Sequence, residues 1–141
     1  MFRKILVPVD FTEKNEAAIQ AAQEVLSGHE EAEIYLLHVI EMIEHVEFDE
    51  MKDFYHGLEV RAEAKLVRLE ERCREAGPAC VYHDIQYGKR AEAVVRFAED
   101  HQMDLIILSS HQVDRDHPAL GWGTISYRIA IVARCPVLLV K

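Results

Sequence analysis

No apolar run in this 141-residue chain approaches the ~20 residues that a membrane-spanning helix needs. The opening MFRKILVPVDF reaches Asp10 before its apolar stretch is long enough for a secretory leader, so a cytoplasmic protein is expected. Cysteine is scarce. Cys73, Cys80 and Cys135 are an odd number without CxxC spacing, which argues against a disulfide framework and fits a reducing compartment. Cys73 falls on an apolar helical stripe, and Cys80 and Cys135 open strands, so each is expected to be a small buried hydrophobe. Positive charge is also in deficit: 16 Lys and Arg face 25 Asp and Glu, for a net charge of -9. That balance disfavours non-specific nucleic-acid binding, where Lys and Arg neutralise phosphates, and equally an anionic membrane surface. The phosphate motifs GxxxxGK[ST] and GxGxxG and the nucleophile elbow GxSxG are absent.

What is present is alternation. KILVPVD (Lys4–Asp10) reads as a buried strand, and Ala17, Ala18, Ala21, Ala22 and Val25 then recur at helical spacing between Glu13 and Leu26. AEIYLLHVI (Ala32–Ile40) is a second strand. The acidic stretch Glu41–His56 is a linker or a frayed helix start, and its Glu41–Asp53 part reads as a solvated face or a partner-docking segment. Leu58, Ala62, Leu66, Leu69, Cys73 and Ala76 form a helical stripe that Gly77-Pro78 stops. CVYHDIQYG (Cys80–Gly88) alternates like a strand, and Ala91, Val94, Val95 and Ala98 mark a helix from Arg90 to His101. MDLIILSS (Met103–Ser110) is a strand covered on both faces. A helix over Thr124–Ala133 and a strand over Cys135–Lys141 close the chain. One α/β domain over residues 1–141 is expected, with a parallel sheet, helices on both faces and right-handed crossovers. The last strand has no successor to cover it, so it is expected at the sheet edge, pairing a homodimer through Pro136–Lys141.

Open sheets of this class bind ligands outside the carboxyl ends of their strands, where the strand order switches. Three segments meet that condition: Val9-Asp10, His38-Val39-Ile40 and Ser109-Ser110-His111, with a helix start near Gly123-Thr124. Ser109, Ser110, Gly123 and Thr124 suit an anion, through backbone N–H groups, hydroxyls and a helix dipole. Equally, Thr124 caps its helix and the serines satisfy local backbone groups. Asp10 either faces the crevice or starts a turn. His111, Asp114, Asp116 and His117 cluster within seven residues, but their spacing matches no metal-ligand pattern. His38 reads as a hydrogen-bonded core residue. No orienting acid accompanies Ser109, Ser110 and His111, so no catalytic residue is assigned. In the loop, Asp114 and Asp116 outnumber Arg115, which calls for a metal to bridge any phosphate.

The whole chain resembles the universal stress protein family. KILVPVDFTE (Lys4–Glu13) is similar to its first strand and turn, and LLHVI (Leu36–Ile40) to its second strand end. GKRAEAVVRFAEDHQMDLIIL (Gly88–Leu108) is similar to its third helix and fourth strand, and GTISYRIAIVARCPVLLVK (Gly123–Lys141) to its closing helix and strand. The resemblance implies an open five-stranded parallel sheet in the order 3-2-1-4-5, Rossmann-like and akin to the adenine-nucleotide alpha-hydrolases. It also implies a homodimer and a regulatory role in stress. Some members bind ATP, often with a divalent metal such as Mg or Mn; others form nucleotide-free interaction modules. ATP-binding members carry Gly-x-x-Gly, nine residues, then Gly-Ser/Thr. Gly123-Thr124 matches the last element, His111 keeps the motif's histidine, and Ser109 and Gln112 stand where the first two glycines belong. The gap from Gln112 to Gly123 is ten residues. By this resemblance Pro8, Val9 and Asp10 line the adenine and ribose side, with the Val39 backbone facing the adenine. Leu108, Ser109, Ser110, His111 and Gln112, with Gly123, Thr124, Ile125 and Ser126, then hold ribose and phosphates of an adenine nucleotide.

Overall fold

Each apolar run becomes a strand and each amphipathic stretch a helix in the computed structural model, which describes residues 2–77, 80–110, 115–116 and 124–141. The elements are β1 (Lys4–Pro8), α1 (Lys14–Val25), β2 (Glu33–Ile40), a 3₁₀ turn (Phe48–Met51) and α2 (Lys52–Ala76). They continue with β3 (Cys80–Tyr87), α3 (Arg90–Asp100), β4 (Leu105–Ser109), α4 (Ile125–Val132) and β5 (Val137–Val140). The sheet order is β3-β2-β1-β4-β5, and every neighbouring pair is parallel. This is the expected open α/β sheet, with β5 at an edge.

The two-residue period of a strand sorts its side chains onto opposite faces. Ile5, Val7 and Val9 of the first strand segment join Leu105 and Ile107 of β4 beneath Ala18, Ile19, Leu66 and Cys73 of α1 and α2. Leu6, Ile106 and Leu108 point the other way, into a second core with Val94, Phe97 and Ile129 of α3 and α4. A strand buried on both faces has to be apolar throughout, which is why LIIL reads as an unbroken run.

Burial corrects several expectations. Cys73 is buried, and desolvation pushes its thiol up to about 11. Cys80, however, is exposed because β3 is an edge strand, and Cys135 is only partly buried and precedes β5, which begins at Val137 rather than at Cys135. Along α2, Ala76 is exposed and Leu58 and Leu69 are half-buried, while Tyr55 and Glu70 fill the buried stripe. In α3 Ala91, Val94 and Ala98 are buried as expected, Phe97 joins them and Val95 is only half-buried; in α1 Ala17 is exposed and Ile19 buried. The acidic 41–56 stretch is part loop, part 3₁₀ turn, and α2 begins within it at Lys52. Tyr55 explains that early start: it is 1% exposed, stacks on Phe48 at 5.4 Å, and its hydroxyl accepts a hydrogen bond from Ile43 N at 2.6 Å. Helix α2 stops where Gly77 turns extended; Pro78 lies outside the described residues.

Edge strand β3 is tied to α2 by charge. His83 places one ring nitrogen on Glu63, at 2.6 Å, and the other on the buried Glu70, which also holds Arg74. Arg74 in turn donates to Val81 O at 3.1 Å. Only an imidazolium donates from both nitrogens at once. Burial acts to lower the His83 pKa, but hydrogen bonds to Glu70 and Glu63 outweigh it and leave it raised. A raised folded-state value means stabilisation that is complete below the ordinary pKa of about 6.5 and lost as pH rises through the folded value. His83→Gln is therefore expected to cost more unfolding free energy at about pH 6 than at about pH 9. Equal losses in urea titrations at both would refute the bridge.

Candidate functional site

The strand order reverses between β1 and β4, so the chain leaves these neighbours in opposite directions and opens a crevice beyond their carboxyl ends. A cavity of about 210 Å³ occupies it. Its apolar wall is Leu37 and Val39 of β2, Leu108 of β4, Val94 of α3 and Ile129 of α4. Its polar wall includes Asp10, Lys14, Asn15, Arg90, Ser109, Thr124 and Ser126.

The turn out of β1 shapes one side. Phe11 adopts a φ of 65°, a left-handed conformation that costs a non-glycine residue about 1–3 kcal/mol unless its surroundings hold it. Asn15, buried at the start of α1, supplies the restraint: its side-chain oxygen accepts from Asp10 N at 3.0 Å and Phe11 N at 2.8 Å. The Asp10 carboxylate accepts from Thr12 N at 3.0 Å and Thr12 Oγ1 at 2.7 Å, an Asx turn. Partial burial pushes the Asp10 carboxyl up, but its hydrogen bonds with Thr12 and Asn15 prevail and hold it below the usual carboxylate value. From β2, His38 braces the same turn: Nδ1 lies 2.9 Å from Val9 O and the ring packs on Phe11 at 4.4 Å. Desolvation lowers its pKa, with Arg90 and Lys65 adding to the effect, so His38 is the hydrogen-bonded packing residue expected.

The β4 end is locked to the same turn. Ser109 Oγ donates to Lys14 O at 2.6 Å, joining β4 to the first residue of α1. Ser110 N donates to Val140 O at 2.8 Å. At the start of α4, Thr124 stands at the N-cap with extended backbone, yet its hydroxyl makes no capping bond. Ser126 Oγ lies 3.4 Å from both Thr124 Oγ1 and Ser110 Oγ, long for hydroxyl pairs. The capping reading thus fails for the Thr124 side chain, and Ser109 satisfies a distant backbone group rather than a local one.

Three helices begin at this cavity, and each contributes its first residue to the wall: Lys14, Arg90 and Ile125. Their positive dipole ends add to the two cations, Lys14 and Arg90, neither of which has an ion-pair partner among the described residues. The site suits an apolar ring joined to an anion.

Of the residues expected here, Pro8, Val9, Asp10, Val39, Leu108, Ser109, Thr124, Ile125 and Ser126 line one cavity. Ser110 is buried beside Ser126 and lies behind that wall. His111, Gln112 and Gly123 lie outside the described residues, as do Asp114 and His117 of the histidine-aspartate cluster. Among the described residues no group of three or more His, Cys, Asp or Glu is placed to hold a metal ion. Sequence reasoning missed Lys14, Asn15, Leu37, Arg90, Val94 and Ile129. A search for residues opening each helix at the switch point would have found Lys14 and Arg90.

The profile of the Universal stress protein family matches residues 1–141. Among solved structures, the hypothetical protein PH0823 is 31% identical, with a TM-score of 0.72 over 100% of this chain and 97% of that one. Universal stress protein UspA from Lactobacillus plantarum is 19% identical, with a TM-score of 0.80 over 100% and 99%. The universal stress protein from Archaeoglobus fulgidus in complex with dAMP is 16% identical, with a TM-score of 0.71 over 99% and 98%.

Because Asn15 alone satisfies two turn N–H groups and holds a left-handed residue, Asn15→Ala is expected to destabilise the fold by about 1–3 kcal/mol. Denaturant unfolding measures it; a loss under about 0.5 kcal/mol, the size of an ordinary surface change, would contradict the clamp.

Proposed function

The chain belongs to the universal stress protein family, and from that membership we propose that it binds an adenine nucleotide between β1 and β4 as a regulatory ligand in a cytoplasmic stress response. The observation that carries this reading is the pairing of an apolar pocket with two cations at converging helix starts that have no ion-pair partner among the described residues. The base lies against Val39, Leu37, Val94 and Ile129, the ribose near Asp10, and the phosphates toward Lys14, Arg90, Ser109 and the start of α4. A neighbour of the same fold was solved with dAMP. Mg or Mn enters with the phosphates as their counterion, Asp10 being the one carboxylate of the described lining. Lys14 and Arg90 supply positive charge that the acidic loop lacks, so phosphate binding has less need of that metal than loop composition alone implies.

The nucleotide acts as a ligand and not a substrate. The Ser109 hydroxyl is engaged by Lys14 O, and a carboxyl held below its usual value makes Asp10 a weak base. In calorimetry, ATP with Mg is expected to bind, and Lys14→Glu to weaken it by about tenfold or more, the worth of one charge-assisted contact. No binding at millimolar nucleotide would overturn the reading in favour of a nucleotide-free interaction module.

A homodimer through Pro136–Lys141 belongs to the same proposal. Edge strand β5 exposes Leu138, and α4 beside it exposes Ile131 (80%) and Val132 (62%), an apolar strip next to unpaired strand groups. Light scattering at micromolar concentration should give twice the chain mass, and Leu138→Asp the monomer. A wild-type monomer would refute the dimer.

A further inference from the structure

A second cavity adjoins the first. It measures about 670 Å³, and Arg90 and Ile125 belong to the walls of both. Ligand sites commonly measure roughly 300–1,000 Å³, so the first cavity alone is small and the second extends it into the usual range. The extension is a built feature of the fold. Gly88 takes a φ of 137°, open only to glycine, and its N–H holds Ile40 O at 3.1 Å. That turn presents Lys89 and Arg90 at the head of α3, and Arg90 N donates to Glu41 Oε1 at 3.2 Å. The opposite wall, Met42, Ile43 and Val46, is fixed by the Ile43–Tyr55 hydrogen bond yet leaves these side chains 36–45% exposed.

Cations outnumber carboxylates by one in this cavity, on a chain whose net charge is -9. Lys89, Arg90 and Arg128 line it with Glu41 and Glu44, and no salt bridge joins any of the five among the described residues. Three cations with no ion pair among the described residues, facing exposed apolar side chains, fit an anion that carries an apolar body.

Resting on the nucleotide reading above, we propose that the physiological ligand is an adenine nucleotide whose phosphate chain is esterified to a second, largely apolar group. The phosphates, common to ADP, meet Arg90 and Lys89, and the second group lies on Met42, Ile43 and Val46 against the Arg128 side chain, which stacks on a base or packs its stem on an alkyl chain. That group is either a second base or an aliphatic chain, and two probes separate them: diadenosine diphosphate and the hexyl ester of ADP. Calorimetry compares each with ADP on wild type and on Arg128→Glu, a change on the exposed side of α4 outside the first cavity. At least one conjugate is expected to bind about tenfold more tightly than ADP, and Arg128→Glu to abolish that advantage while ADP binding is unchanged. The inference is overturned if neither conjugate outbinds ADP, or if the advantage survives Arg128→Glu. ADP binding without a conjugate advantage sinks this inference alone; failure of ADP and both conjugates sinks the nucleotide reading with it.

Discussion

The site depends on a single buried amide. At the end of β1 the chain has to leave the sheet, pass Phe11 in a left-handed conformation and enter α1 within six residues of Pro8. Asn15 makes that path stable because its oxygen satisfies the two N–H groups that the turn leaves unpaired. Everything else at the cleft is referenced to this turn: His38 leans on Val9 O and Phe11, and Ser109 reaches back to Lys14 O. Because β1 is the central strand, fixing its exit fixes the position of neighbours on both sides.

The electrostatics follow from the same geometry. In a parallel α/β sheet the carboxyl ends of strands face the amino ends of helices, so one edge of the molecule collects positive dipole ends. Here that edge also carries Lys14, Arg90, Lys89 and Arg128 on a chain that is acidic overall. Net charge predicts poor affinity for extended polyanions, while the local field at the two joined cavities has the opposite sign and would favour a small anion. Both statements hold together because salt screens surface charge over roughly 10 Å, while a cleft concentrates it.

Legibility in the sequence tracked how local each cause is. The strands were readable because burial on both faces forces unbroken apolar runs, and the switch point followed from alternation alone. Asp10, Val39, Leu108 and Ser109 were legible as strand ends. Cys80 was misread because a strand's place in the sheet is a long-range fact: the same residue is buried in a central strand and exposed at an edge. Tyr55 escaped because its role is to bind Ile43 N, a contact no periodicity encodes. Lys14 and Arg90 sit at helix starts where a cation opposes the dipole, a locally unfavourable choice that helix-start preferences in the sequence do not lead one to expect.

Ser109 shows how a departure from a motif can be reinterpreted. A glycine at this position offers φ > 0 and close backbone approach. Ser109 does not take a positive φ, so its side chain imposes no backbone strain here. The hydroxyl instead spans from β4 to Lys14 O, a link glycine cannot make. The exchange therefore trades freedom in the strand-end turn for a brace across the switch point. A braced cleft loses less conformational entropy on binding than one that must be ordered by its ligand, which favours affinity for a molecule already shaped to the gap.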